Sequence, residues 1–348
     1  MKPLLPLLCA LLLCVPACEK DTAAPTGGFN ASALLAGVPS TVIFGTYQDL
    51  EAKAIALRTA VNTLQGAPTD PNLTAAQNAW RAARRPWEQS EGFLFGPVET
   101  QGIDPSIDSW PVNRVDLDAV LASSAALTQS YIDALEGTLK GFHTLEYLLF
   151  GTGSKTAADL TARELEYLVG TTASLAAAVT TLRMAWDPAA GNYVRTMSTA
   201  GATGNSVYIS QSAALQELVN GVIAICDEVA NGKISDPFDQ MDRTLEESQF
   251  SNNSDLDFAD NIRSVQNVYL GQYGSATTTG LRALVMAKQP SLDPTIQTQL
   301  TAAITAIGEM TPTFGEAISS NPTKVEAARA AIRTLKQTLE SQLLPLTQ

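Results

Sequence analysis

Apolar residues recur along this chain at spacings of three and four, the period of helices that bury one face. Ile43, Tyr47, Leu50, Ala54, Leu57, Val61 and Leu64 predict a first helix over about Val42 to Leu64, ended by Gly66-Ala67-Pro68. Thr69-Asp70-Pro71 reads as a cap followed by a first-turn proline. The second helix it opens carries Trp80, Arg84, Trp87 and Glu91 on one stripe, at i, i+4, i+7 and i+11. Pro86 lies inside that helix and predicts a kink. Aromatics alone would make the stripe core. Arg84 and Glu91 within it predict an inward-facing charged network, because buried charges need partners.

The pattern breaks from Phe95 to Asn113, a long irregular stretch of the kind that often carries function. A helix beginning near Val115-Asp116 follows, and another leads into the run from Gly141 to Gly151. Further helices are expected over 159–186, 206–231, 256–270, 278–288, 295–310 and 323–343. Glycines and polar residues at 189–205 suggest a hinge, and 238–257 is polar and irregular. Strand signals are nearly absent, so the fold class is all-α, with two halves of similar helical make-up.

Composition agrees: 45% hydrophobic and 16% charged residues describe a globular chain and argue against disorder. The first residues read as a targeting signal. Lys2 precedes an apolar core, Leu4 to Val15, too short to span a bilayer as a mature helix. Val15-Pro16-Ala17-Cys18 resembles a bacterial lipobox, which makes 1–17 a signal peptide and Cys18 a lipidated first residue anchored in a membrane; an ordinary secretory signal cleaved nearby is the alternative. Residues 18–38 would then be a flexible Thr/Ala/Pro/Gly-rich tether. Residues 39–200 form the expected N-terminal helical half, and 201–348 the C-terminal half.

The net charge of −13 becomes one unit more negative when Lys2 is removed. That excludes the basic face nucleic-acid binding needs, and suits a protein that attracts cations. After cleavage two of the four cysteines remain. Cys18 would carry lipid, and Cys226 lies in an apolar run, so no disulfide is expected and Cys226 reads as core.

Chemistry concentrates in Gly141-Phe142-His143-Thr144-Leu145-Glu146. His143 is the single histidine of the chain. The i, i+3 spacing places Glu146 on the same helix face. Such a pair on an apolar helix either satisfies itself or forms one wall of a binding site.

The run Gly141-x-His143-x-x-Glu146, followed by Tyr147-Leu148-Leu149-Phe150-Gly151, resembles the imelysin signature. So do Trp80-Arg81-Ala82-Ala83-Arg84-Arg85-Pro86-Trp87-Glu88 with its continuation to Val98, Ile107-Asp108-Ser109-Trp110-Pro111, and Ser248 to Phe258 running on into Asn261-Ile262. Together they cover roughly 40–345 in order. The resemblance implies two helical-bundle-like halves packed with a cleft between them, the signature facing that cleft. It implies an envelope-exposed bacterial protein connected with iron uptake or iron regulation. The family was named as metallopeptidases.

Zincin chemistry needs two histidines one turn apart, and this chain has one. Di-iron bundle chemistry needs two E-x-x-H motifs. What remains is a mononuclear site with one imidazole and several oxygens, suited to iron, manganese or calcium. The candidate metal ligands are His143, Glu146, Glu88 and Glu91. Asp108 and Asp257 could join from the irregular segments, with Arg84 orienting ligands or pairing with a bound anion. Asp257 and Asn261 read equally as caps or solvated positions. The leading expectation is a non-enzymatic lipoprotein that binds iron or a small iron-bearing ligand. Its rivals are a metal-dependent peptidase or other hydrolase, and a metal-free partner of an outer-membrane transporter.

Overall fold

The computed structural model describes residues 29–348. The signal segment 1–17, Cys18 and the first part of the expected tether lie outside the described residues. Among the described residues, eight helices reach ten residues or more: α1 (Phe44–Gly66), α2 (Asp70–Glu88), α3 (Gly141–Phe150), α4 (Ala162–Trp186), α5 (Gln211–Glu228), α6 (Ser254–Leu270), α7 (Asp293–Gly308) and α8 (Pro322–Thr338). The two described strands, Gln272–Tyr273 and Ala276–Thr277, form one small antiparallel hairpin with Gln272 opposite Thr277.

The sequence signals explain most boundaries. The Thr69 hydroxyl accepts from the Asn72 amide and caps α2, with Asp70 and Pro71 in its first turn. Thr161 and Glu164 close a capping box at the start of α4. Gly271, at φ +71°, ends α6 in the left-handed conformation.

The helices pack in two sets. In the first, α1 lies against α2 and α4, and α3 against α2 and α4. In the second, α7 packs on α6 and α8, and α5 on α6 and α8. α2 meets α6 at the centre, so the two sets join across those helices. α4 is long and apolar enough to cross a membrane. Here it forms core, burying Leu168, Leu175, Val179, Leu182 and Trp186.

Two expectations change. The tether was expected to reach residue 38, yet Ser32–Gly37 is helical and continues through a π-turn, Val38–Ile43, into α1. Ala31, Leu34, Leu35 and Val38 are buried, and the Ala31 amide donates to Gln211 Oε1 at 3.0 Å. Four apolar side chains at helical spacing outweigh the polar character of the surrounding stretch. Second, α2 ends at Glu88, two residues after Pro86, so the proline sits in a last turn and not at a mid-helix kink. Glu91 therefore faces inward from a 3-10 turn, Glu91–Phe93, and not from the helix.

Candidate metal centre

The stripe on α2 points at the junction of the two helix sets. Trp80 Nε1 donates to the Phe142 carbonyl at 2.9 Å, tying α2 to α3. One turn on, Arg84 is fully buried. Trp87 Nε1 donates to Asp108 Oδ2 at 2.6 Å. Asp108 arrives on a turn just after the short helix Asp104–Ile107.

The glycine of the signature has a structural cause. Gly141 opens α3 with φ +74°, and a Cβ there would lie 2.3 Å from the Ile107 carbonyl oxygen. Only glycine lets the start of α3 press on the backbone that carries Asp108. The contact brings His143 Nε2 to 3.0 Å from Asp108 Oδ1. On its other side His143 Nδ1 is 3.5 Å from Glu146 Oε2. Neither ring nitrogen is aligned for a hydrogen bond, and both are buried.

Glu146 is held from the second half. Its Oε1 accepts from the backbone amides of Phe250 (3.0 Å) and Ser251 (2.8 Å) and from the Ser251 hydroxyl (2.7 Å). The polar stretch between 246 and 253 thus docks on α3 through a buried carboxylate. The same stretch supplies Glu247, whose Oε1 accepts from Arg84 Nη2 at 2.7 Å and from Lys233 Nζ at 3.0 Å. Glu247 Oε2 is buried without a partner. Arg84 also pairs with Asp108 through Nη1, and its Nη2 lies 2.6 Å from Glu88 Oε1 without the alignment of a hydrogen bond.

A second layer surrounds Lys233, which is 2% exposed. Its ammonium donates to Glu91 Oε2 at 2.6 Å and lies 3.7 Å from Glu88 Oε2. Asn261 Nδ2, on α6, donates to Glu88 Oε2 (2.7 Å) and Glu91 Oε2 (2.8 Å). Asp257 accepts from Ser248 Oγ at 2.5 Å and Asn253 Nδ2 at 2.7 Å, with Arg84 Nε at 3.6 Å.

Among the described residues, the six buried carboxylates Glu88, Glu91, Asp108, Glu146, Glu247 and Asp257 have only Arg84, Lys233 and His143 within ion-pair distance, with Arg81 further out beside Glu146 and Asp257. Burial drives Glu88 and Glu91 well above the ordinary carboxylate range against the pull of nearby cations, and burial pushes Asp257 up to about 7. Asp108 goes the other way: Arg84 and His143 overcome its burial and hold it below the usual range. Burial and Arg84 press the imidazole of His143 down, but Asp108 and Glu146 outweigh them and lift it to about 9. The raised proton affinities of Glu88, Glu91 and Asp257 favour their neutral forms and so lower the buried charge.

Ligating atoms of Asp108, His143 and Glu247 all lie within 4.8 Å of one another, as do those of Glu88, Glu91, Asp108 and Glu247. The second group already surrounds the Lys233 ammonium. The first keeps one carboxylate oxygen without a hydrogen bond, Glu247 Oε2, beside an imidazole whose proton a cation would displace.

A family model described as Imelysin matches residues 43–343. The chain belongs to the imelysin family. The chain is 32% identical over 317 residues to iron-regulated protein A of Synechococcus elongatus, covering 90% of this chain and 85% of that protein. Among solved structures, a protein from Parabacteroides distasonis named as an iron-regulated protein A precursor matches with TM-score 0.83 at 26% identity, covering 93% of this chain and 97% of that one. An imelysin-like protein from Psychrobacter arcticum matches in fold, with TM-score 0.74 at 14% identity over 92% and 96% of the two chains.

This imelysin-family member gathers all eight residues singled out in the sequence around one buried centre, though not as one ligand set. His143 and Asp108 meet directly. Glu88 and Glu91 sit in the Lys233 layer, bridged by Asn261. Glu146 is turned toward the 250–251 backbone and offers only Oε2 to the ring. Arg84 does not touch Glu91; it spans Asp108, Glu88, Glu247 and Asp257. Sequence reasoning missed Lys233 and Glu247. Two adjacent glutamates in the irregular segment were a usable signal for Glu247, whereas Lys233, behind Asp227 and Glu228, carried none.

Proposed function

We propose that this protein binds a metal cation, with iron the best chemical match, between Asp108, His143 and Glu247. The carrying observation is the unbalanced buried charge beside the unbonded Glu247 Oε2 and the His143 ring. A divalent cation would balance that charge and displace the protons its ligands hold. One imidazole with carboxylate oxygens is a donor set suited to iron or manganese. Glu146 would orient the imidazole through Nδ1 and leave Nε2 toward Asp108. Arg84 would hold the carboxylates of Asp108 and Glu247 in place. The names of the relatives support an iron-related role.

We further propose that the mature chain is anchored at Cys18 in the bacterial envelope and serves iron uptake there, without catalysis. The anchor would hold the metal site at the membrane surface, beside a transporter it supplies. A peptidase would need a polarised water and a base, whereas the carboxylates here are engaged by Arg84 and Lys233.

Calorimetric titration of chelator-treated protein with Fe²⁺, Mn²⁺ and Zn²⁺ tests the metal site. Wild-type protein should bind iron, and His143→Ala and Glu247→Gln should each weaken binding at least about tenfold. Equal affinity in all three proteins would refute the assignment. Casein cleavage that a chelator abolishes would favour a peptidase instead.

A further inference from the structure

On the outer side of the 250–251 segment lies a polar hollow of about 640 Å³, walled by α2, the loop after α3 and the stretch that follows Arg243. In a chain of net charge −13 its lining is cationic: Arg81, Lys155 and Arg243 converge on it, against Glu316 alone. Arg81 decides the reading. Its guanidinium stacks 4.5 Å from the centre of the Phe150 ring and donates to the Ser251 carbonyl at 3.1 Å. Among the described residues it has no carboxylate within ion-pair distance, although it is half-buried; Glu146 and Asp257 act on it from further off. A half-buried guanidinium with no direct ion pair keeps forked donors for an oxyanion in the hollow.

The other two cations are positioned by neighbours. Arg243 Nη2 donates to Asn252 Oδ1 at 3.1 Å, and its Nε is 3.8 Å from Glu246. Lys155 Nζ donates to Glu164 Oε1 at 3.0 Å. Both keep donors free to turn inward. Arginine forks match oxyanions bidentately, and a lysine adds a point charge.

We propose that this hollow is a binding site for a small, multiply charged oxyanion, a polycarboxylate or a phosphate. Arg81 forms its floor, and Arg243 and Lys155 form its walls. The site is separate from the metal centre, so it stands or falls independently of the metal assignment.

Calorimetry of the ion-free protein at low ionic strength, with citrate and with inorganic phosphate as probes and acetate as a monovalent control, tests it. Saturable binding of citrate or phosphate, weaker for acetate and weakened by added salt, is the expected result. Binding of citrate alone identifies the carboxylate source, and of phosphate alone the phosphate source. Arg243→Gln, at a half-exposed side chain and with its fold checked by circular dichroism, should weaken binding about tenfold, and Arg81→Gln should weaken it further. Absence of saturable binding of both probes at millimolar concentration overturns the proposal. So does unchanged affinity in a folded Arg243→Gln protein.

Discussion

Replacing Lys233 with methionine removes the one ammonium inside the second layer while keeping most of its apolar stem. That ammonium lies 2.6 Å from Glu91 Oε2, 3.0 Å from Glu247 Oε1 and 3.7 Å from Glu88 Oε2, and all three carboxylates are buried. Removing one partner from a buried ion network costs about 3–5 kcal/mol, because the stranded charges cannot reach water. Glu88 and Glu91 already hold protons more tightly than ordinary carboxylates, so the variant relieves its strain by taking up a further proton. The folded-state proton affinity is then above the unfolded value, and the lost stability returns as pH falls toward the unfolded value near 4.5. One extra bound proton corresponds to about 1.4 kcal/mol per pH unit. Urea unfolding of chelator-treated protein should give a deficit of about 4 kcal/mol near pH 8, shrinking steeply by pH 5. Adding Glu91→Gln to Lys233→Met removes a stranded charge and should restore part of the loss. A deficit below about 1 kcal/mol, or one that does not change with pH, would refute the buried-network reasoning.

Other consequences are directly measurable. Gly141→Ala forces a Cβ against the Ile107 carbonyl at a positive φ, so unfolding should be easier by about 1–3 kcal/mol and metal affinity should fall with it; an unchanged denaturation midpoint would contradict the close approach. Burial, reinforced by Asp108 and Glu228, pushes Asp104 up to about 6, so the folded chain keeps a proton that the unfolded chain has released. Its contribution is present below the unfolded value near 3.8 and is lost as pH rises through 6. Asp104→Asn should therefore stabilise the protein by at most about 3 kcal/mol near pH 7 and not at all near pH 3, as read by urea unfolding. Burial raises the Cys226 thiol to about 12, so the native protein should resist a thiol reagent near pH 8 at this position and react only on unfolding.

The helices were legible because their signals are local. The Thr69 cap, the apolar series of α1 and the polar break after Gly151 all act within a few residues. The start of the chain's packed body was misread because Leu34, Leu35 and Val38 are held by partners far away in sequence, Gln211 among the anchors. The centre divides the same way. His143 with Glu146, and Arg84 in an aromatic stripe, are spacing patterns on single helices. The partnership of Asp108 with His143 depends on the Gly141–Ile107 contact, which links residues with no periodic relation. Lys233 and Glu247 stood in segments of ordinary polarity, and only the packing of α5, α2 and the 246–253 stretch removes them from water. Sequence could indicate that Arg84 needed partners; the folded chain decides which ones.

We propose Asp108, His143 and Glu247 as the metal site. The direct measurement is an anomalous-difference map at the iron edge, from crystals of the protein loaded with iron. The account predicts one strong peak between His143 Nε2, an Asp108 oxygen and Glu247 Oε2, absent in crystals of His143→Ala. A peak elsewhere, or one that survives that substitution unchanged, would contradict it.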